Sequence, residues 1–321
     1  MARICIILFF LSLNTFGKSI LIEGKLLEAS SRAPIAYANI GIVNKNIGTI
    51  SNPDGTYNLR LDSTLIHEKI TFSALGYERK SIAVQEFVQK PSFKEVLLDE
   101  KSVVLEEISI NHKLHIINRI KHTTLGNEHH NSGTIRLDTA RAGGSMALLL
   151  QHDEAPFQLN TIRIYIPQNS NTFKVRVRCY NVDPETGAPG EDLIEKNIII
   201  NSDISKGWLK EDLSSYNIWI KEKEFFLAFE WIMDSEDRKF LAENLLEFIE
   251  CNPESIYSKT TVVDGQQCTD TKIKGFKGGT WFGTTFSSKI VEHHECYFRT
   301  SSLSSWQRSA AVLTAMADIC F

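Results

Sequence analysis

Asn52-Pro53-Asp54-Gly55 is followed at once by Tyr57, Leu59 and Leu61 alternating with Asn58, Arg60 and Asp62. A tight turn that feeds a period of two leaves little besides a β-hairpin. Proline presets φ, glycine accepts the positive φ that other residues resist, and the alternation offers one apolar face to a core. The same pattern extends to both sides. Upstream, Tyr37–Ile42 is an apolar run and Gly48-Thr49-Ile50-Ser51 opens another. Downstream, KITFSALG, KSIAVQ, FKEVLLD and VLEEISI follow at strand-like intervals. Between Ile20 and Ile110 no helical period competes strongly, so this part of the chain is expected to be an all-β sandwich.

The ordered motifs in this stretch carry a resemblance. Ile22-Glu23-Gly24-Lys25, Pro34–Ile40, Gly48–Asn52, Asp54–Leu59 and Phe72–Tyr77 resemble, in that order, the pattern of the carboxypeptidase regulatory-like domain. The variant it looks like is common in exported and outer-membrane proteins of Bacteroidetes-type bacteria, often at the front of TonB-dependent receptors. The resemblance implies a transthyretin-like seven-stranded sandwich over residues 18–110, acting as an accessory module rather than a catalyst. Two usual companions of that domain, a receptor barrel and a zinc peptidase domain, have no counterpart in the roughly 200 residues that follow.

The first 17 residues pair Arg3 with an apolar run from Ile4 to Leu13, and Thr15 and Gly17 supply small residues at the end. The run is too short to span a bilayer. It is expected to be a secretory signal peptide cleaved after Gly17, which places the mature chain in the periplasm or at the outer membrane or cell surface. No later stretch has the apolar length of a membrane helix. The formal net charge of −4 offers no basic field for nucleic acid.

Residues 111–133, NHKLHIINRIKHTTLGNEHHNSG, are expected to be a polar linker, with a short helix through Leu114, Ile117 and Ile120 that ends near Gly126. Residues 134–321 are again mostly strand-like: Leu159–Ile166, Phe173–Tyr180, NIII, GWLKEDL, NIWI and EFFLAFEWI. The last has two apolar faces and is expected to be a central strand. One helix follows, with Ser235 as its cap and Phe240, Leu241, Leu245, Leu246 and Ile249 as its apolar face. Arg176–Leu193, Gly207–Ile220 and Glu224–Ile232 resemble an uncharacterised jelly-roll region that follows the same N-terminal domain in the same bacteria. The resemblance fades between Glu236 and Gly275, where the helix reads as an insertion. The fold expected overall is all-β: a transthyretin-like sandwich, then a jelly-roll sandwich with one inserted helix.

Candidate chemistry is sparse. His129-His130 and His293-His294 are adjacent pairs without the spacing that puts two imidazoles on one helix face, and they read as loop residues. His152-Asp153-Glu154 reads as a polar turn. Asp183, Glu185, Glu191 and Asp192 share a Pro/Gly-rich loop; as paired carboxylates they would serve glycoside hydrolysis, and as oxygen ligands calcium, but a solvated turn accounts for them. No cofactor or metal is expected. With Cys5 in the signal peptide, Cys179 reads as a buried free thiol. Cys251, Cys268, Cys296 and Cys320 allow three pairings, with Cys251–Cys268 and Cys296–Cys320 as the first guess.

The strongest binding candidate is an outward face. If Ile162, Ile164 and Ile166 point inward, Arg163 and Tyr165 point out; if Phe173, Val175, Val177 and Cys179 point inward, Lys174, Arg176, Arg178 and Tyr180 point out. Were the two strands neighbours, guanidiniums and aromatics would form a stripe suited to sugar rings or acidic groups. Trp208, Trp219 and Trp231 read as core. The function expected is non-catalytic recognition of a glycan or an envelope protein by the second sandwich. The alternatives are an envelope hydrolase with a site in that sandwich, or a purely structural component.

Overall fold

The computed structural model describes residues 19–89, 95–101, 121–130, 133–136, 143–263, 266–286 and 294–321. The expected signal peptide, the strand expected at 104–110, the helix expected through Leu114–Ile120 and His293 lie outside these residues.

Among the described residues the first sandwich has seven strands. Three form one sheet in the order β4 (Thr56–Asp62), β1 (Ser19–Glu28), β7 (Glu95–Leu98). Four form the other in the order β3 (Gly48–Ile50), β2 (Asn39–Gly41), β5 (Lys69–Ser73), β6 (Lys80–Ala83), and a one-turn helix, α1 (Val84–Gln89), follows β6. β1 runs antiparallel to β4 and parallel to β7. Ile22, Leu26, Ile40, Tyr57, Leu59, Leu61, Ile70, Phe72, Val96 and Leu98 close into one buried cluster. The opening turn forms as its residues dictate: the Gly55 amide donates to the Asn52 carbonyl at 2.9 Å, with Gly55 at φ +80°. A Cβ on Gly55 would stand 2.5 Å from the Leu26 carbonyl oxygen, so both φ and space require glycine here.

The second sandwich faces a seven-stranded sheet against a five-stranded one. The larger runs β14 (Pro189–Asp192), β13 (Phe173–Val182), β18 (Glu224–Ile232), β10 (Ser145–Gln151), β22 (Cys296–Arg299), β23 (Gln307–Arg308), with β15 (Ile198–Ser202) also on β13. The smaller runs β16 (Gly207–Asp212), β11 (Phe157–Ile166), β25 (Ala315–Cys320), β8 (His122–Gly126), with β17 (Ile218–Ile220) also on β11. At one end β21 (Thr280–Thr285) joins β12 (Gln168–Asn169), β24 (Val312–Leu313) and β9 (Gly133–Arg136). The core between the sheets holds Met146, Leu148, Val175, Val177, Cys179, Leu227, Phe229 and Trp231 from the larger sheet, and Leu159, Ile162, Ile164, Ala317 and Ile319 from the smaller. Trp231 stacks on Phe173 with centroids 5.9 Å apart. β18 is central and buried on both faces, as its sequence requires.

Three expectations are corrected here. His122–Gly126, expected in a polar linker whose short helix ends near Gly126, is a strand that pairs with β25. Gly126 serves that pairing: at φ +112°, a Cβ would sit 2.4 Å from the Ala315 carbonyl oxygen. The inserted helix, α2 (Ser235–Cys251), is capped by Asp234 and not Ser235. The Asp234 carboxylate accepts from the amides of Glu236 and Asp237, and the Asp237 carboxylate accepts from the Asp234 amide, a reciprocal capping box that serine one residue later does not complete. Leu241 is the buried anchor of α2, while Phe240 and Leu246 are exposed, because the helix packs through a stripe narrower than its apolar content. Beyond α2, β19 (Ile256–Val263) and β20 (Gln266–Ile273) pair as a two-stranded hairpin.

Candidate functional site

The expected stripe does not form. Arg163 and Tyr165 lie on β11, and Arg176, Arg178 and Tyr180 on β13, which belongs to the other sheet. The alternation within each strand is as expected, but the outer face of β13 is covered. Arg176 is only 2% exposed, and its Nη1 stands 3.0 Å from Glu230 Oε1, itself 1% exposed. Arg178 Nη1 lies 2.9 Å from Asp192 Oδ2 as an ion pair without hydrogen-bond geometry. The Tyr180 hydroxyl accepts from Arg299 Nη2 at 2.9 Å, and the Arg299 guanidinium lies over the Trp306 ring. These three side chains are a buried structural cluster, unavailable to an external ligand.

Arg163 and Tyr165 are different. They lie on the outer face of the five-stranded sheet, whose strand register sets Tyr165 opposite Trp208, Arg163 opposite Lys210, and Gln158 opposite Trp219. Trp208 and Trp219 are 36% and 50% exposed, which corrects their assignment to the core; Trp231 alone of the three is buried. The signal was present in the sequence. Leu209, Ile218 and Ile220 point inward, so a period of two turns Trp208 and Trp219 outward. Tyr165 meets Trp208 edge-on at 5.4 Å between ring centroids, and the ring of His130, from an exposed loop, lies 4.1 Å from that of Tyr165.

At the far end of β11 the Trp219 indole N–H donates to Asn217 Oδ1 at 3.0 Å, and Gln158 Nε2 donates to the same oxygen at 3.3 Å. Asn217 holds this position in the left-handed region, at φ +51°. Between the aromatic ends the face is polar apart from Met316, which lies opposite Arg163 and is largely covered. Arg163 pairs with Asp318, and the Thr124 hydroxyl donates to the same Asp318 oxygen at 2.6 Å. On β16, the hydroxyl and amide of Ser214 hold the Asp212 carboxyl below its ordinary value, with a smaller contribution from Lys210.

The other constellations disperse. The Asp183 carboxylate accepts from the amides of Glu185 and Thr186 and so caps its own turn, while Asp192 faces Arg178. His152 Nδ1 is within 2.7 Å of the Glu154 carbonyl oxygen, the expected polar turn. Among the described residues no cluster of three or more His, Cys, Asp or Glu has the geometry to hold a metal. Cys179, Cys251, Cys296 and Cys320 carry free thiols, so neither guessed disulfide is made. Cys296 faces the core from β22, whereas Cys320 lies on the outer face of β25, where its thiol donates to Asn160 Oδ1 at 3.4 Å; the side chain of Cys268 lies outside those described. A cavity of about 140 Å³, lined by Thr49, Ile50, Asn52, Asn58, Ser235 and Arg238, is smaller than the roughly 300–1,000 Å³ of small-molecule sites.

Asp192, Arg299 and Trp306 of the second sandwich cover β13 at Arg178 and Tyr180, whereas at Arg176 the cover is the first sandwich. Residues 22–110 match the family model of the CarboxypepD_reg-like domain. No curated protein matches the chain. The CarboxypepD_reg-like domain is joined to the second sandwich by a seam of direct contacts. Arg176 donates to the Tyr37 carbonyl oxygen and, at 3.4 Å, to Asn39 Oδ1. The Asn44 amide donates to the Leu303 carbonyl, Ser305 Oγ to Asn44 Oδ1, and Thr300 Oγ1 to Asn46 Oδ1. The Ser235 amide at the start of α2 donates to Asn52 Oδ1, and Arg238 Nη2 to Thr49 Oγ1. Ile50, on β3 of the CarboxypepD_reg-like domain, is 1% exposed and belongs to the core cluster of the second sandwich.

Proposed function

We propose that this chain is an exported, non-catalytic accessory protein of the cell envelope, in which the second sandwich recognises an extended ligand. Recognition takes place on the outer face of β8, β25, β11 and β16/β17. The observation that carries this reading is the placement of Trp208 and Trp219 in the open at the two ends of one strand, β11, each held by a neighbour on the same face. Solvent-exposed tryptophans with fixed orientation have a hydration cost that a ligand removes. The signal-peptide character of residues 1–17 supports export, and the CarboxypepD_reg-like domain at residues 22–110 supports an accessory role. The resemblance to Bacteroidetes-type exported proteins and to their jelly-roll region agrees with both.

The test is a glycan array and an envelope-extract pull-down, each run with wild type and with the double variant W208A/W219A. Retention by wild type that the variant loses is the expected result. Equal retention by both proteins, or none by folded wild type, overturns the reading.

A further inference from the structure

Resting on the recognition face proposed above, we infer that its ligand is a neutral polysaccharide chain laid along β11. Three features of the face lead to this class. The aromatic groups stand at its ends: Tyr165 and Trp208 at one, Trp219 at the other, separated by the run from Gln158 to Tyr165. At about 3.3 Å per residue that run is roughly 20 Å long. A folded protein partner concentrates its contact energy in a desolvated centre with a polar rim. Here the order is reversed: Met316 in the centre, opposite Arg163, is only 9% exposed, and the side chains that reach solvent between the aromatic ends are polar.

The second feature is the chemistry of that centre. Gln158, Asn160, Thr124 and the Arg163–Asp318 pair present amide, hydroxyl and ionic groups on the same face as the rings. A chain of sugar rings has a matching make-up, with C–H faces that stack on indole and phenol rings and hydroxyls that both donate and accept. A single indole at each end, held in place by a neighbour, gives such a chain two stacking points while the hydroxyls between them are solvated by side chains in place of water.

The third is charge. The two cations in the strip, Arg163 and Lys210, are matched by two anions, Asp212 and Asp318. Arg163 is committed to Asp318, and Lys210 lies close enough to Asp212 to act on it. An acidic polysaccharide or a nucleic acid strand would need cations in excess, and among the described residues the strip has none. Balance favours a ligand without charge.

The experiment is affinity electrophoresis of the whole chain in native gels containing neutral polysaccharides (galactomannan, xylan and mixed-linkage β-glucan) or acidic ones (polygalacturonate and alginate), followed by titration of any binder at low and high salt. Retardation by at least one neutral probe is expected, unchanged by salt and weakened roughly tenfold or more by W208A and by W219A. Both variants are expected to remain folded, W219A with the smaller change in melting temperature because Trp219 is the more exposed indole. Retardation by acidic probes alone, or binding that falls with salt, overturns the neutral class; if W208A still abolishes it, the recognition face stands. Neutral binding indifferent to both substitutions overturns the class on this face and the face itself. No retardation by any probe, beside a tryptophan-dependent protein pull-down, overturns the polysaccharide and leaves the face.

Discussion

The guanidinium of Arg176 donates a hydrogen bond to the carbonyl oxygen of Tyr37, across the seam between the two sandwiches. The same guanidinium pairs with Glu230 on the neighbouring strand. Arg176 Nε and Glu230 Oε2 are buried without a hydrogen-bond partner among the described atoms, Oε2 having only the Arg178 Nε at 4.0 Å, so the pair already operates close to the cost of its own desolvation. Burial works against the Arg176 charge, and Glu230 offsets it.

Removing one member of this pair is expected to be far worse than removing both. Arg176→Ala leaves the buried Glu230 carboxylate with only the Arg178 guanidinium, 4.0 Å away, and should cost about 3 kcal/mol, the lower end of the range for breaking a buried pair. The double replacement Arg176→Met with Glu230→Leu should recover most of that loss. Urea unfolding of the three variants checks this, and a double variant no better than the single one contradicts it.

Ile50 provides a second handle on the seam. It belongs by sequence to the first sandwich and by packing to the core of the second. Ile50→Ala is expected to cost about 2–5 kcal/mol, the usual range for such a truncation in a core. Its signature is spatial: hydrogen exchange should rise in strands of the second sandwich as well as in β3. Protection lost only within residues 19–101 would show that the two bodies are energetically separate.

Acid is expected to loosen the turns first. Hydrogen bonds from Thr56 hold the Asp54 carboxyl low, those from Thr186 and Glu185 do so for Asp183, and those from Ser214 for Asp212. A carboxyl depressed on folding stabilises fully above its unfolded value, near pH 3.9, and loses that contribution as pH falls through the lower folded value. Asp192 has the opposite sign, because burial raises it and its ionised form is the costly one. The triple variant D54N/D183N/D212N should therefore lose less stability than wild type between about pH 4 and pH 3. Unfolding free energies across that range decide the matter, and parallel curves would contradict it.

The thiols should separate by burial. Cys251 is exposed at the end of α2, while Cys179 and Cys296 are buried. Burial pushes Cys179 well up, and pushes Cys296 up to about 12, so both remain protonated at neutral pH. Alkylation at pH 8 followed by peptide mapping should modify Cys251 within minutes, and Cys179 and Cys296 only after denaturation. Ready labelling of Cys179 in folded protein would place it elsewhere than in the core.

Much of the fold was legible from period and punctuation. The Asn52–Gly55 turn, the Tyr57–Leu61 alternation and the two-faced strand at Glu224–Ile232 read directly, because each is a local pattern. His122–Gly126 did not, since a short polar strand is specified by its neighbour β25 and not by its own residues. The cover over Arg176, Arg178 and Tyr180 was equally invisible: alternation states which way a side chain points, but not what lies there. Trp208 and Trp219 were legible too: aromatic bulk alone suggests core, but the inward-pointing Leu209, Ile218 and Ile220 turn both indoles outward.

The loop at Asn44–Asn46 clasps the segment Thr300–Ser305, and Asn52 holds the first turn of α2. With the bearing between the sandwiches set by these contacts, the strip along β11 has a fixed heading relative to the front of the chain. A polymer lying in that strip would be gripped at a set angle to whatever holds the first sandwich, as a rail is by its bracket.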